Sequence, residues 1–325
     1  MVHPNYSSLL ARERVAIIAP AGHGKTEAIC NMVAEATGPQ LVLTHTHAGV
    51  NALRRRMQGK GISRAKYSIS TIASFCQRWC ESYPVTGEFD TQLTPQHDNT
   101  AYFEQLYAAA AKILTTNWAR KVLSHSYAGL FVDEYQDCTV EQHRVILATS
   151  PCFPVRILGD PMQGIFGWAG SLVDMRTIEF PKEYPLPYPW RWKKTDPALG
   201  EWIKHIREQL EPTLDGKTVT VDLRHRPSSV VIFSGYKALP RGFLKSGHSA
   251  VYLGPYEAFQ KRFALTNSWR FSFHETQECK DLRMFGRSLD SLCSFELADY
   301  LLKFTKDCTS KDVFKTYREK IQRRD

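Results

Sequence analysis

Short hydrophobic runs alternate with segments of helical spacing through the first half of the chain. Val15-Ala16-Ile17-Ile18-Ala19 has strand length, and the segment after it places Ile29, Met32, Val33 and Ala36 on one helical face before Gly38. Leu41-Val42-Leu43-Thr44 opens a second such unit, whose helix carries Val50, Leu53 and Met57. Leu130-Phe131-Val132 and Val155-Arg156-Ile157-Leu158 repeat the buried-strand signature, each ending at or near an acidic residue. Apolar strands alternating with helices predict an α/β fold with a mostly parallel sheet covered on both faces.

The pattern is interrupted between Ser82 and Thr115, where a polar loop precedes a helical stretch from Tyr102 to Leu114 that contains an alanine run. This reads as a short helical insertion, around residues 84–119. From Tyr184 to Trp192 the sequence YPLPYPWRW is too rich in proline for a helix, and a domain boundary is expected there. Beyond it, Asp196 to Leu210 reads as a helix, Val219 to Leu223 and Val230 to Phe233 as strands, and Leu282 to Lys320 as several helices.

Composition narrows the class. With 325 residues, 43% hydrophobic and 23% charged, the chain is long enough for two or three packed units. No apolar run reaches the roughly 18 to 20 residues that span a bilayer, and the first residues lack a signal-peptide pattern, so no membrane partner and a cytoplasmic location are expected. The eight cysteines are scattered; Cys76 and Cys80 have no second His or Cys cluster nearby to complete a zinc site, and all eight read as reduced thiols. The net charge of +9 suits a polyanionic partner.

Three stretches carry chemistry. Ala19-Pro20-Ala21-Gly22-His23-Gly24-Lys25-Thr26 lies between a strand and an amphipathic helix. Glycines there let backbone N–H groups close on phosphate oxygens, and the helix N-terminus adds a favourable dipole. Gly22, His23, Gly24, Lys25 and Thr26 are therefore the candidate ATP-binding residues, with Lys25 on the phosphates and the Thr26 hydroxyl on Mg²⁺. Leu130-Phe131-Val132-Asp133-Glu134 ends a strand in two carboxylates, which can place Asp133 on the metal and leave Glu134 to activate water. Ile157 to Trp168 (ILGDPMQGIFGW) leaves another strand, carries Gln163 as a candidate γ-phosphate sensor, and offers Phe166 and Trp168 for stacking on bases.

The order and spelling of these motifs resemble the superfamily 1 DNA helicases of the UvrD and Rep kind. The resemblance covers residues 14 to 195 and includes LTHTHA (43–48), STIASF (70–75), the DEYQD box (133–137) and GDPMQGIFGW (159–168). It implies a RecA-like motor domain at 1–183, a partial second motor lobe at 184–275, and the start of a helical insertion at 276–325. By the same resemblance Arg191 is a finger reaching the γ-phosphate, Trp190 stands where a tyrosine packs on adenine, and His45 and Thr71 join Phe166 and Trp168 along a DNA track. Several positions depart from the pattern. No glutamine that would read adenine precedes Val15, His45 replaces a phenylalanine, Ala73 a histidine and Ala169 an arginine. The late threonine, glycine-rich and arginine motifs of the second lobe have no counterpart, so the chain is expected to be the N-terminal part of a longer protein.

Two functions follow from the resemblance. The first is an ATPase motor that uses ATP and Mg²⁺ to translocate on single-stranded DNA or a single-strand/duplex junction, unwinding 3′ to 5′. The second is a regulatory ATP-binding subunit that gates a partner nuclease or effector, as in bacterial antiphage defence. A small-molecule kinase of the phosphate-loop type finds no support in the DEYQD and GDPMQ boxes.

Overall fold

The computed structural model describes residues 4–95, 99–164, 171–230 and 257–266. The chain divides into two compact units, Met1–Val231 and Ile232–Asp325. The first unit contains a sheet of six strands, all parallel, in the order β3-β2-β4-β5-β1-β6. The strands are β1 (Arg14–Ile18), β2 (Gln40–Thr44), β3 (Tyr67–Thr71), β4 (Gly129–Val132), β5 (Val155–Gly159) and β6 (Lys182–Glu183).

Successive side chains along a strand point to opposite faces, and the sheet uses both. Val15, Ile17, Val42, Phe131 and Leu158 pack on one face against the helices α1 (Tyr6–Leu10), α2 (Lys25–Glu35) and α3 (His47–Gly59). Ala16, Ile18, Leu41, Leu43, Leu130, Val132, Val155 and Ile157 line the other face. There they meet α4 (Ile72–Ser82), α6 (Asn99–Leu114), α7 (Asn117–Ser126) and α8 (Val140–Thr149). A one-turn helix, α5 (Pro84–Gly87), precedes α6. The three-layer α/β arrangement is that of a RecA-like motor domain, as the hydrophobic pattern and the motif order led one to expect.

Local chemistry accounts for the element ends. Ile29, Met32 and Val33 are fully buried on α2, and Ala36 caps it two residues before Gly38, whose φ of 74° suits glycine. Thr46, Thr71 and Thr116 accept a hydrogen bond at the starts of α3, α4 and α7, and Thr139 with Gln142 forms a capping box on α8. Arg156 occupies a buried position on β5, its guanidinium over the Phe131 ring at 5.3 Å. It donates to the carbonyl oxygens of Leu9 and Leu10, which ties the end of α1 to the sheet.

Two expectations are corrected. Residues 190–193 form a short helix, α9 (Trp190–Lys193), directly after Pro189, because proline is excluded from helix interiors but tolerated at their starts. Val219–Leu223, despite its alternating pattern, forms no strand and has no ladder partner among the described residues. The first compact unit runs to Val231 and includes α9 and α10 (Pro197–Leu210). The helix expected from Asp196 is α10, with the Asp196 side chain accepting from the Leu199 N–H. In the second unit α11 (Glu257–Thr266) is described. The strand expected at 230–233, apart from Val230, and the helices expected at 282–320 lie outside the described residues.

Candidate active site

All strands being parallel, the loops after β1, β4 and β5 leave the same end of the sheet, where ligands of open α/β folds bind. Ile18 is level with Gly159, and Val132 with Ile157. The chain thus brings the phosphate loop, the acidic pair and the Gln163 turn to one edge, with β5 between β1 and β4.

In the loop, Gly22 and Gly24 take φ of 73° and 92°, a region that side chains with a Cβ disfavour. Gly24 stands at the N-terminus of α2, whose first-turn N–H groups have no intrahelical acceptor and a positive dipole end. The His23 ring is buried, with Nδ1 at 2.9 Å from the Ala21 carbonyl oxygen, and burial lowers its pKa. Its imidazole is thus engaged by the loop's own backbone.

Lys25 is buried, and its Nζ is the point where the motifs meet. It donates to the Ala19 carbonyl at 3.1 Å and to Gln163 Oε1 at 3.2 Å, and lies 3.8 Å from Glu134 Oε2. Beside it, Thr26 Oγ1 donates to Asp133 Oδ2 at 3.4 Å. Burial pushes the Asp133 carboxyl up to about 7, and the neighbouring Glu134 charge adds to the shift against the opposing pull of Lys25. A buried acid in that condition is stabilised as a carboxylate by a cation. Asp133 with the Thr26 hydroxyl therefore fits Mg²⁺, which takes few protein ligands and keeps several waters.

Glu134 adopts φ 54°, ψ 45°, a left-handed conformation that costs a non-glycine residue on the order of 1 to 3 kcal/mol. Gln136 holds it: Nε2 donates to Glu134 Oε2 at 3.0 Å, while Oε1 accepts from the Asp160 N–H at 3.0 Å. Asp160, fully buried, caps the 161–163 turn that carries Gln163 by accepting from the Met162 N–H at 3.1 Å. Both of its carboxylate oxygens are clamped by Arg207 of α10, at 2.8 and 2.5 Å. Gln136, Asp160 and Arg207 thus link the acidic pair to the Gln163 turn. The DEYQD and GDPMQ boxes contain the first two; nothing local marks Arg207, 47 positions from its partner.

A cleft of about 720 Å³ opens over the loop. Of the expected residues it is lined by Gly22, His23, Gly24, Lys25, Thr26, Glu134, Gln163, Trp190 and Arg191. The Arg191 N–H donates to the Gly22 carbonyl at 3.1 Å, which seats α9 on the phosphate loop. Trp190 is exposed beside Gly24, with Lys193 Nζ 4.6 Å from its ring. The cleft is also lined by Pro4, Tyr6, Glu27, Asn31 and Arg56, which the motifs did not mark. Asn31 Nδ2 donates to the Tyr6 hydroxyl at 3.3 Å, and Lys60 to Asn31 Oδ1 at 2.9 Å.

The expected nucleic-acid residues lie elsewhere. His45 follows β2, half-buried, with Nε2 3.6 Å from Cys138 Sγ, and burial lowers its pKa to about 4. Thr71 ends β3, almost fully buried, its hydroxyl accepting from the Ser74 N–H and donating to Ser74 Oγ. Phe166 and Trp168 lie outside the described residues. Cys30, Cys76, Cys80 and Cys138 are buried free thiols and Cys152 is half-buried. No three His, Cys, Asp or Glu side chains among the described residues form a metal-holding group, and no helix there is long and apolar enough to cross a membrane.

Residues 89–184 match the family model described as the UvrD/REP helicase N-terminal domain. No curated protein matches the chain. The matched stretch holds Asp133, Glu134, Gln136, Asp160 and Gln163, and the phosphate loop that completes their site precedes it on β1. The six-stranded parallel sheet, the meeting of these motifs at Lys25 and the family match point the same way: residues 89–184 are similar to the UvrD/REP helicase N-terminal domain, which supports a function of the helicase and ATPase kind.

Proposed function

We propose that the chain is an ATP-driven motor of the UvrD type that moves on single-stranded DNA and separates duplex with 3′ to 5′ polarity. The observation that carries the reading is the convergence of Glu134 and Gln163 on Lys25, with Thr26 and Asp133 alongside. In this reading Lys25 and the loop amides hold the β and γ phosphates, and Trp190 packs on the adenine. Asp133 and Thr26 hold Mg²⁺, which when bound neutralises charge developing on the phosphate oxygens. Glu134, kept in place by Gln136, accepts a proton from the attacking water, and Gln163 orients that water or the γ-phosphate. Arg191, on the helix seated against Gly22, neutralises charge on the transferred phosphoryl group. His45 and Thr71, with Phe166 and Trp168, form the DNA track.

The test is ATP turnover by the chain with and without single-stranded DNA. Stimulation by the strand is expected, as is a Glu134→Gln variant that binds a nucleotide analogue but turns over ATP about 10²-fold or more slowly. Analogue binding without turnover, unchanged by DNA, would overturn the motor reading and leave the nucleotide-gated subunit in its place.

A further inference from the structure

From Ala36 to Cys80 the chain contains no aspartate or glutamate, yet it carries Arg54, Arg55, Arg56, Lys60, Arg64, Lys66 and Arg78. A run of cations is ordinarily a solvated face, so what matters is where the structure puts them and what they touch. Arg56 and Lys60 pair with Glu27, and Lys66 donates to the Ala34 and Ala36 carbonyls. Arg54 and Arg55 bond only to Asn51, and neither these two nor Arg64 has a carboxylate partner among the described residues. Arg54 and Arg64 flank a recess of about 260 Å³ whose remaining lining is Tyr67 and Ile69. The Tyr67 hydroxyl oxygen is buried and has no hydrogen-bond partner among the described residues. A buried phenol ordinarily finds one, and Tyr67 shares the lining of the recess with two arginines.

The recess lies at the amino end of β3, the outermost strand, whereas the phosphate loop leaves the carboxyl end of β1. It is therefore separate from the nucleotide cleft and shares no lining residue with it. The two arginines bring planar forks of donors to a lining that has no charged acceptor, which suits a tetrahedral anion with several oxygens. The acid-free run around the recess supplies an extended positive field, which a polymer of phosphates exploits better than a single ion does. We infer that Arg54, Arg64 and Tyr67 form a second anion site that takes a phosphodiester of a single nucleic-acid strand, at the opposite end of the sheet from the ATP cleft. Such a site holds the strand whatever the nucleotide state.

Binding of a fluorescent single-stranded oligonucleotide to the full chain, followed by anisotropy across a salt series without nucleotide, tests this. Arg54→Gln/Arg64→Gln is expected to weaken binding and to flatten the plot of log K against log salt by about 0.7 for each phosphate that is no longer neutralised. Tyr67→Phe, which keeps both arginines, is expected to weaken binding several-fold with less change in slope. A charge-matched control, Lys121→Gln/Lys204→Gln, removes two exposed lysines away from the recess. Equal weakening in the two double variants, or none in the arginine pair, overturns the site. Stabilisation by inorganic phosphate that needs Arg54 and Arg64, without an effect on the oligonucleotide, overturns the nucleic-acid assignment. Binding here is read without nucleotide, whereas the motor reading is read from ATP turnover stimulated by DNA, so failure of the motor reading and failure of this site are separable.

Discussion

Asp160 is a buried carboxylate with a guanidinium N–H on each of its oxygens, and both come from the single cation Arg207. Breaking a buried pair from one side leaves an uncompensated charge, so Arg207→Met is expected to cost about 3–5 kcal/mol in urea denaturation. Adding Asp160→Asn should recover part of that loss, since it removes the orphaned charge. His45 gives a pH prediction. Its pKa is held down to about 4 by burial, against 6.5 for the exposed ring, so between these values the unfolded chain binds a proton that the fold excludes. Stability from this site is therefore lost as pH falls from 6.5 to 4, by up to about 3 kcal/mol. His45→Phe is expected to gain on the parent through that window and to run parallel to it above pH 7, as measured by chemical denaturation at each pH. Asp133, shifted upward, acts in the opposite sense but cancels in the difference. Lys25, Asp133, Glu134 and Gln163 were legible in the sequence because each lies in a motif with a fixed place after a strand. Arg207, Asn31 and Tyr6 were not, because a contact between distant segments leaves no local periodicity to read.

Among the elements, those with continuous apolar runs were read correctly: β1, β2, β4 and β5 are buried on both faces. β3 was not read as a strand, since Tyr67-Ser68-Ile69-Ser70-Thr71 is an edge strand with half-buried polar positions. Residues 219–223 show the reverse error, alternation without a neighbour to pair with, which illustrates that strand propensity depends on context. α9 matters most for the site. A Cβ on Gly22 would stand 2.6 Å from a ring carbon of Trp192, and on Gly61 would meet nothing within 4 Å, although the two share nearly the same φ. Gly61→Ala is thus expected to cost about 1 kcal/mol from backbone conformation alone. Gly22→Ala should cost more and also displace α9, lowering affinity for a fluorescent ATP analogue at least tenfold; thermal melts and analogue titration of the two variants check both statements.

For the whole molecule, the unit that ends at Val231 contains the sheet, both apolar layers and every residue lining the nucleotide cleft. A fragment of residues 1–231 is expected to melt in one cooperative transition and to bind an ATP analogue within a few-fold of the full chain; a fragment without a transition, or without binding, would contradict this. Strand–helix alternation in the sequence located the motor fold, and the prolines at 185, 187 and 189 interrupt local structure within the compact unit that ends at Val231. The strand order has a last consequence. With β5 inserted between β1 and β4, the strands that lead into the Gly22–Thr26 loop and the acidic pair are two ladder spacings apart, about 10 Å, a lane that the Lys25 and Thr26 side chains cross to reach Glu134 and Asp133. The Asp160–Gln163 turn follows the strand in the middle of that lane, whose width is fixed by main-chain pairing. Side-chain mutations should change what occupies that lane while leaving its gauge the same.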